Sequence, residues 1–326
     1  MRAIFARLFA VFVIGSGLWF PPGWAFAGGP QVSFAEYQRP EGLALDYLFK
    51  EPARLSPRAL AFTLPRETVQ VGAGSYGVAG RYDAEVVTAR VRKAVEATAQ
   101  PYGDEVQATV RRVARGYELS VQVKGRRGRL NQVMAELRRV AAKAEGDYLT
   151  ESFLRPIHAR EVAPDYGRLA GLFVKAMVPA AEALRAQMPP GATERDRLAL
   201  ALAFVQSIPY DTETAARREN GYVVPPMMLV QNKGACDSKS VTLASLLGTL
   251  LPGRAVAVIL VPEHAFLGVA LTPLPGERTF YAEGRTYVLM EPVGPAQLPV
   301  GEISERSNRA MSRLSAVSVL PVLLAE

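Results

Sequence analysis

Cysteine, histidine and tryptophan are scarce in this chain of 326 residues, which holds one, two and two of them respectively. A single cysteine excludes an internal disulfide framework. One cysteine and two histidines cannot close a structural zinc shell without carboxylates, so no metal is expected. No calcium loop of the D-x-[DN]-x-[DN]-G type occurs, and no cofactor is implied. Aromatic residues are few beside the basic ones, which argues against a nucleic-acid surface. Beyond the first 27 residues no stretch approaches the ~20 apolar residues of a membrane span. The apolar and charged fractions, 49% and 21%, are ordinary for a globular protein and exclude wholesale disorder.

The first residues read as an export signal. Arg2 and Arg7 precede an apolar run from Leu8 to Trp19, and Ala25-Phe26-Ala27 fits a small-x-small cleavage site. The expectation is a signal peptide over 1–27, cleavage after Ala27, and a periplasmic or secreted protein. No stable membrane span remains after cleavage. No cysteine follows the site, so a lipoprotein anchor is not expected. The net charge of +7 falls to about +5 once Arg2 and Arg7 are removed. The densest basic patch, Lys124 to Arg129, reads as a solvated connection between elements.

The remainder divides into a smaller N-terminal α+β module over 28–165 and a larger domain over 166–326. Residues 28–65 read as irregular extended segments and loops. Val86–Thr98 has helical spacing, Val106–Val123 alternates as a hairpin, and Leu130–Ala144 is again helical. Gly72-Ala73-Gly74-Ser75-Tyr76-Gly77 fits G-x-G-x-x-G, but no helix opens from it, so it reads as a flexible loop. In the second half, Leu169–Met188 and Glu194–Ser207 read as helices, the latter capped by Thr193. A buried helix follows Gly234. Strand-like runs occupy 255–261, 265–271 and 286–290, and an apolar run lies at 316–324. The implied architecture is a helix packed on an antiparallel sheet.

The lone thiol, Cys236, stands where that buried helix begins. A helix N-terminus stabilises the thiolate, the nucleophilic form. Gly234 permits a sharp approach, and the Cys236 N–H is aimed to hold an oxyanion. His264, at the start of a strand, is the candidate base, and Glu291 the carboxylate that orients it. Glu263 and Glu283 are competing acceptors. Gln231 is the side-chain oxyanion candidate, with Gln206 and Tyr210 as more remote ones. Against this stands the frequent burial of free cysteine as a core residue. His158 has no comparable setting. Asp237 and Lys239 read as anchors of the first helical turn.

Gly234-Ala235-Cys236-Asp237-Ser238-Lys239, His264-Ala265-Phe266 and Glu291-Pro292, in this order, resemble the transglutaminase-like cysteine hydrolases of the papain-like superfamily. Ile208-Pro209-Tyr210-Asp211 is similar to the stretch that precedes the cysteine segment in bacterial members. Phe266 stands where tryptophan is usual, and Glu291 where aspartate is usual. The resemblance covers residues 167–301. It implies a transglutaminase-like core and a Cys236–His264–Glu291 triad that forms a thioester from a peptide or isopeptide carbonyl. The implied partner is a protein or peptide substrate, met in the cell envelope. Acyl transfer to an amine, a non-catalytic binding scaffold and a redox-sensing thiol remain as alternatives.

Overall fold

In the computed structural model the described residues are 29–52, 54–74, 82–113, 116–124, 127–158, 161–213 and 222–323. The signal peptide expected over 1–27 lies outside them. Strands β1 (Gln31–Arg39), β2 (Gly42–Phe49) and β3 (Arg58–Pro65) form an antiparallel meander in the order β1-β2-β3. The reading of 28–65 as irregular is thus corrected. Pro40, Pro52 and Pro57 sit in the connections, where a missing N–H costs the ladder nothing. Leu43, Leu45, Tyr47 and Phe49 of β2 and Leu60, Phe62 and Leu64 of β3 all point into the main core.

Helix α1 (Arg66–Gly74) follows directly. It contains Gly72 and Gly74 of the glycine-rich stretch, so the first part of that segment is helical rather than loop. Its remainder lies outside the described residues. Gly72 packs on Met227 and Pro226, where a Cβ would come within 3.1 Å of the methionine side chain. Helix α2 (Ala84–Ala99) is capped by the Asp83 carboxylate, which accepts from the N–H groups of Glu85 and Val86. The hairpin β4 (Val106–Val113) and β5 (Gly116–Val123), helix α3 (Arg127–Glu151), and a short hairpin of β6 (Leu154–His158) and β7 (Glu161–Pro164) complete this region. Val87, Val91 and Val95, one helical turn apart, meet Val106, Val110, Val133 and Leu137 in a core of their own.

The stretch expected as one helix over 169–188 is three pieces: α4 (Tyr166–Leu172), a 3-10 turn at Lys175–Met177, and α5 (Val178–Ala186). Pro179 lacks an N–H and is accommodated in the first turn of a new helix, so the chain restarts there. Helix α6 (Glu194–Ser207) opens on a full capping box between Thr193 and Asp196. Helices α7 (Pro225–Gln231) and α8 (Cys236–Leu250) precede strands β8 (Val256–Val261), β9 (His264–Val269), β10 (Thr279–Ala282) and β11 (Arg285–Met290). Helix α9 (Glu305–Met311) and strand β12 (Ser318–Pro321) close the described chain.

These last strands form one antiparallel sheet in the order β10-β11-β9-β8-β12. Both faces are covered, which explains why β8 is buried at every position. One face carries Val258, Leu267, Val288 and Met290 against α8; the other carries Ile259, Phe266, Tyr287 and Leu289 with Ile303 and Met311. The molecule is a mixed α+β protein built on antiparallel sheets. Its main core does not divide near residue 165. It joins β2 and β3 to α4–α8, while the separate core belongs to residues 87–154. Among the described residues no helix is long and apolar enough to cross a membrane.

Candidate active site

Helix α7 ends on Asn232 in the left-handed conformation, φ 51°. The chain then runs two residues as an isolated parallel bridge beside Tyr210. Gly234 N–H donates to the Pro209 carbonyl and Asp211 N–H to the Gly234 carbonyl, both at 3.2 Å. A Cβ at Gly234 would stand 2.7 Å from Met228 Cγ and Sδ, which is why the approach needs glycine. Cys236 is the first residue of α8 and is half-buried. Its N-cap, Ala235, offers no side-chain acceptor, and the N–H of a first-turn residue has no acceptor within the helix. The sulfur therefore sits at the positive end of a buried helix of four turns.

The turn between β8 and β9 places His264 at the first position of β9, opposite Val261. Ser240 of α8 donates to the Ala265 carbonyl at 3.1 Å, tying that strand to the helix one turn beyond Cys236. The Cys236 sulfur and the Glu291 carboxylate are the two groups whose hydrogen bonding and charge act on the His264 imidazole. Its Nε2 is engaged by Glu291 Oε1 at 2.9 Å, so proton exchange with the sulfur falls to Nδ1. Burial pushes the imidazole pKa down, but the hydrogen bonds to Cys236 and Glu291 and their charges outweigh it, raising it to about 9.

Glu291 follows the last residue of β11, which pairs with β9. Its carboxylate is buried yet fully engaged. Ser304 N–H donates to Oε2 at 2.8 Å, Ser307 Oγ donates to Oε2 at 2.9 Å, and Ser304 Oγ donates to Oε1 at 3.2 Å. Burial raises its pKa; His264, the Ser304 N–H and the Ser307 hydroxyl overcome this and lower it to about 2. Ser304 is also the N-cap of α9, so the carboxylate sits at the start of that helix. Gln206, 1% exposed, donates through Nε2 to the Glu291 carbonyl at 2.9 Å and the Leu298 carbonyl at 2.8 Å. Neither serine was singled out from sequence. Ser304 as the cap of a short helix, with Glu305 opening it and Ser307 in its first turn, is a signal that could have flagged them.

No family model, curated protein or solved structure matches this chain.

The structure thus brings Cys236, His264 and Glu291 together, and separates the other candidates from them. Glu263 is exposed and faces Arg306 at 3.4 Å. Glu283 lies in the turn between β10 and β11. Gln206 spends its amide on backbone carbonyls. Gln231 is exposed at the end of α7, on the wall of a cavity of about 530 Å³ that Cys236 does not line. Tyr210 lines the same cavity, and its backbone is bridged to Gly234, two residues before the thiol. Burial, then the charges of Cys236 and Asp237, raise its pKa, so the phenol keeps its proton. Asp237 accepts from Tyr166 Oη at 3.0 Å and from Ser238 N–H at 2.7 Å, anchoring the first turn as expected of it. Lys239 does not pair with a neighbouring side chain; it runs inward to the Ile208 carbonyl at 2.5 Å.

Proposed function

We propose that this protein is a cysteine hydrolase of transglutaminase-like fold, exported to the periplasm or beyond, that cleaves peptide or isopeptide bonds. The observation that carries the reading is a half-buried thiol at a helix N-terminus facing an imidazole whose far nitrogen is held 2.9 Å from a buried carboxylate. A nucleophile, a base in reach of it and a third group orienting that base form the pattern of thiol acyl transfer.

The steps follow from the placement. The thiol proton passes to His264, and Glu291 fixes the ring and stabilises the imidazolium. Sγ attacks the acyl carbonyl; the S–C bond forms and the oxygen becomes an oxyanion. The Cys236 N–H at the helix start, and the Tyr210 hydroxyl from the segment bridged to Gly234, are the donors assigned to it. The C–N bond then breaks, the imidazolium proton goes to the leaving amine, and a thioester remains. Water attacks it with His264 as base, the S–C bond breaks, and acid and free thiol are released.

The test is chemical. Iodoacetamide should label Cys236 faster than an ordinary thiol below about pH 7, and His264→Ala should slow it. p-Nitrophenyl acetate should acetylate Cys236 with release of p-nitrophenolate. Sluggish labelling that ignores His264 would sink the hydrolase reading in favour of a binding scaffold.

A further inference from the structure

Lys239 is 0% exposed, and among the described residues no carboxylate pairs with it. A buried amine without a counter-charge costs several kcal/mol, and a methionine would fill the same space without that cost. The lysine is therefore a residue whose folding energetics do not account for it. Its one acceptor is the Ile208 carbonyl at 2.5 Å. Burial lowers its pKa to about 7, yet the neutral amine still carries N–H donors, so the link survives on either side of neutrality.

The geometry around the amine closes a ring. Ile208 ends α6 and leads into Pro209, which has no N–H and whose carbonyl accepts from Gly234. Gly234 leads through Ala235 to Cys236, and Lys239 stands one helical turn beyond it, its Cγ 3.3 Å from where a Gly234 Cβ would lie. On the other side, a Cβ at Gly294 would fall 3.6 Å from Lys239 Nζ and 2.1 Å from the Gln206 carbonyl. The loop that follows Glu291 thus closes over the same amine. We propose that Lys239 is a positioning residue: by holding the Ile208 carbonyl it fixes the 208–211 segment, and with it the bridge from Tyr210 to Gly234, against the first turn of α8, where the oxyanion of an acyl substrate forms. This rests on the thiol acyl-transfer reading above and says which buried group keeps its oxyanion side in place.

Two probes of the same sulfur separate this from a general structural role. Alkylation by iodoacetamide needs the nucleophile but no oxyanion donor; acetylation by p-nitrophenyl acetate needs both. In Lys239→Met, alkylation of Cys236 is expected within about twofold of wild type, while acetylation falls at least about tenfold, with Tyr210→Phe showing the same split. Acetylation unchanged in a folded Lys239→Met overturns the proposal, as does an equal fall in both reactions. Should Lys239→Met not fold, amide exchange of the wild-type protein decides. The Gly234 and Asp211 N–H groups should exchange only through global unfolding, and rapid local exchange there overturns the proposal. A wild-type Cys236 left untouched by p-nitrophenyl acetate overturns the hydrolase reading and this proposal together, and needs no variant to be seen.

Discussion

His264 Nε2 and Glu291 Oε1 stand 2.9 Å apart, and two serines hold the carboxylate from its other side. The pair is more than a contact between two charges. Glu291 is buried where an uncompensated carboxylate would be costly, and its donors come from a helix start that has N–H groups to spare. With the carboxylate fixed, one ring nitrogen of His264 is committed to it, and only Nδ1 remains to exchange a proton.

The first prediction concerns pH. The imidazole pKa in the folded protein, about 9, lies above its ordinary 6.5. The stability it contributes is therefore complete below about pH 6.5 and is lost as pH rises through 9. For Glu291, lowered from 4.5 to about 2, the contribution is present above 4.5 and lost as pH falls through 2. Denaturant midpoints should hold level between pH 5 and 6 on this account, roughly, and decline from about 6.5 toward 9. A His264→Gln variant should lose that alkaline decline. If it persists undiminished, the decline has another origin.

Replacing Glu291 by Gln keeps the shape and removes the charge. The imidazolium then loses its closest anion, so its pKa should fall from about 9 toward the ordinary value. The alkaline limb of Cys236 alkylation should move down with it. Acyl transfer should drop by about 10²–10⁴, the range typical of a lost base or its orienting group. An unchanged limb would show that Glu291 does not set the ring's protonation.

Ser307 is fully buried and donates to Glu291 Oε2 at 2.9 Å. Ser307→Ala removes a hydrogen bond to a charged acceptor, which should cost about 1.5–3 kcal/mol of stability. The Glu291 pKa should rise, because one group that lowers it is gone. Equilibrium denaturation together with NMR titration of the carboxyl carbon checks both parts.

Much of this was legible in the sequence, and the losses have physical reasons. The helix starting at Cys236 and the helix over 194–207 showed themselves through apolar periodicity and, for the latter, the Thr193 cap. The Cys236, His264 and Glu291 positions could be ranked because each falls at the edge of an element. The sheet over 31–65 was hidden by Pro40, Pro52 and Pro57, which lie between strands, and Pro65, which ends β3. The break in 166–186 was missed because apolar spacing carries across Pro179 while the hydrogen-bond ladder does not. Gln231 ranks ahead of Tyr210 in sequence because it is nearer to the thiol along the chain, whereas in the fold both line one cavity. The bridge between Tyr210 and Gly234 pairs residues from distant segments, and no local pattern announces it.

Gly294 offers a steric test of the loop that carries Glu291. A Cβ there would lie 2.1 Å from the Gln206 carbonyl oxygen, which is backbone and cannot rotate away. Gly294→Ala should cost about 1–3 kcal/mol and shift the 291–298 segment, slowing His264-dependent alkylation. Gly234→Ala meets side chains rather than backbone, Met228 Cγ and Sδ at 2.7 Å and Lys239 Cγ at 3.3 Å. It should cost less. A Gly234→Ala variant less stable than Gly294→Ala would contradict this ordering.

The last prediction asks whether residues 31–65 fold with the α4–α8 core. Tyr47 of β2 is 2% exposed, donates its hydroxyl to the Leu229 carbonyl of α7 at 2.7 Å, and packs edge-on against Phe204 of α6 at 5.0 Å between centroids. Tyr47→Phe keeps the ring and removes one of that carbonyl's two donors, the other being the Asn232 N–H, a change worth about 0.5–1.5 kcal/mol. If the sheet and the helices form one cooperative unit, the loss should appear equally in amide exchange of β2 and of α8, 190 residues away in the chain. The Val87–Leu154 core, which shares none of these contacts, should keep its exchange rates if it opens independently. Loss confined to β2, with α8 protected as in the wild type, would mean that the N-terminal sheet is an accessory layer and not part of the frame that holds Cys236.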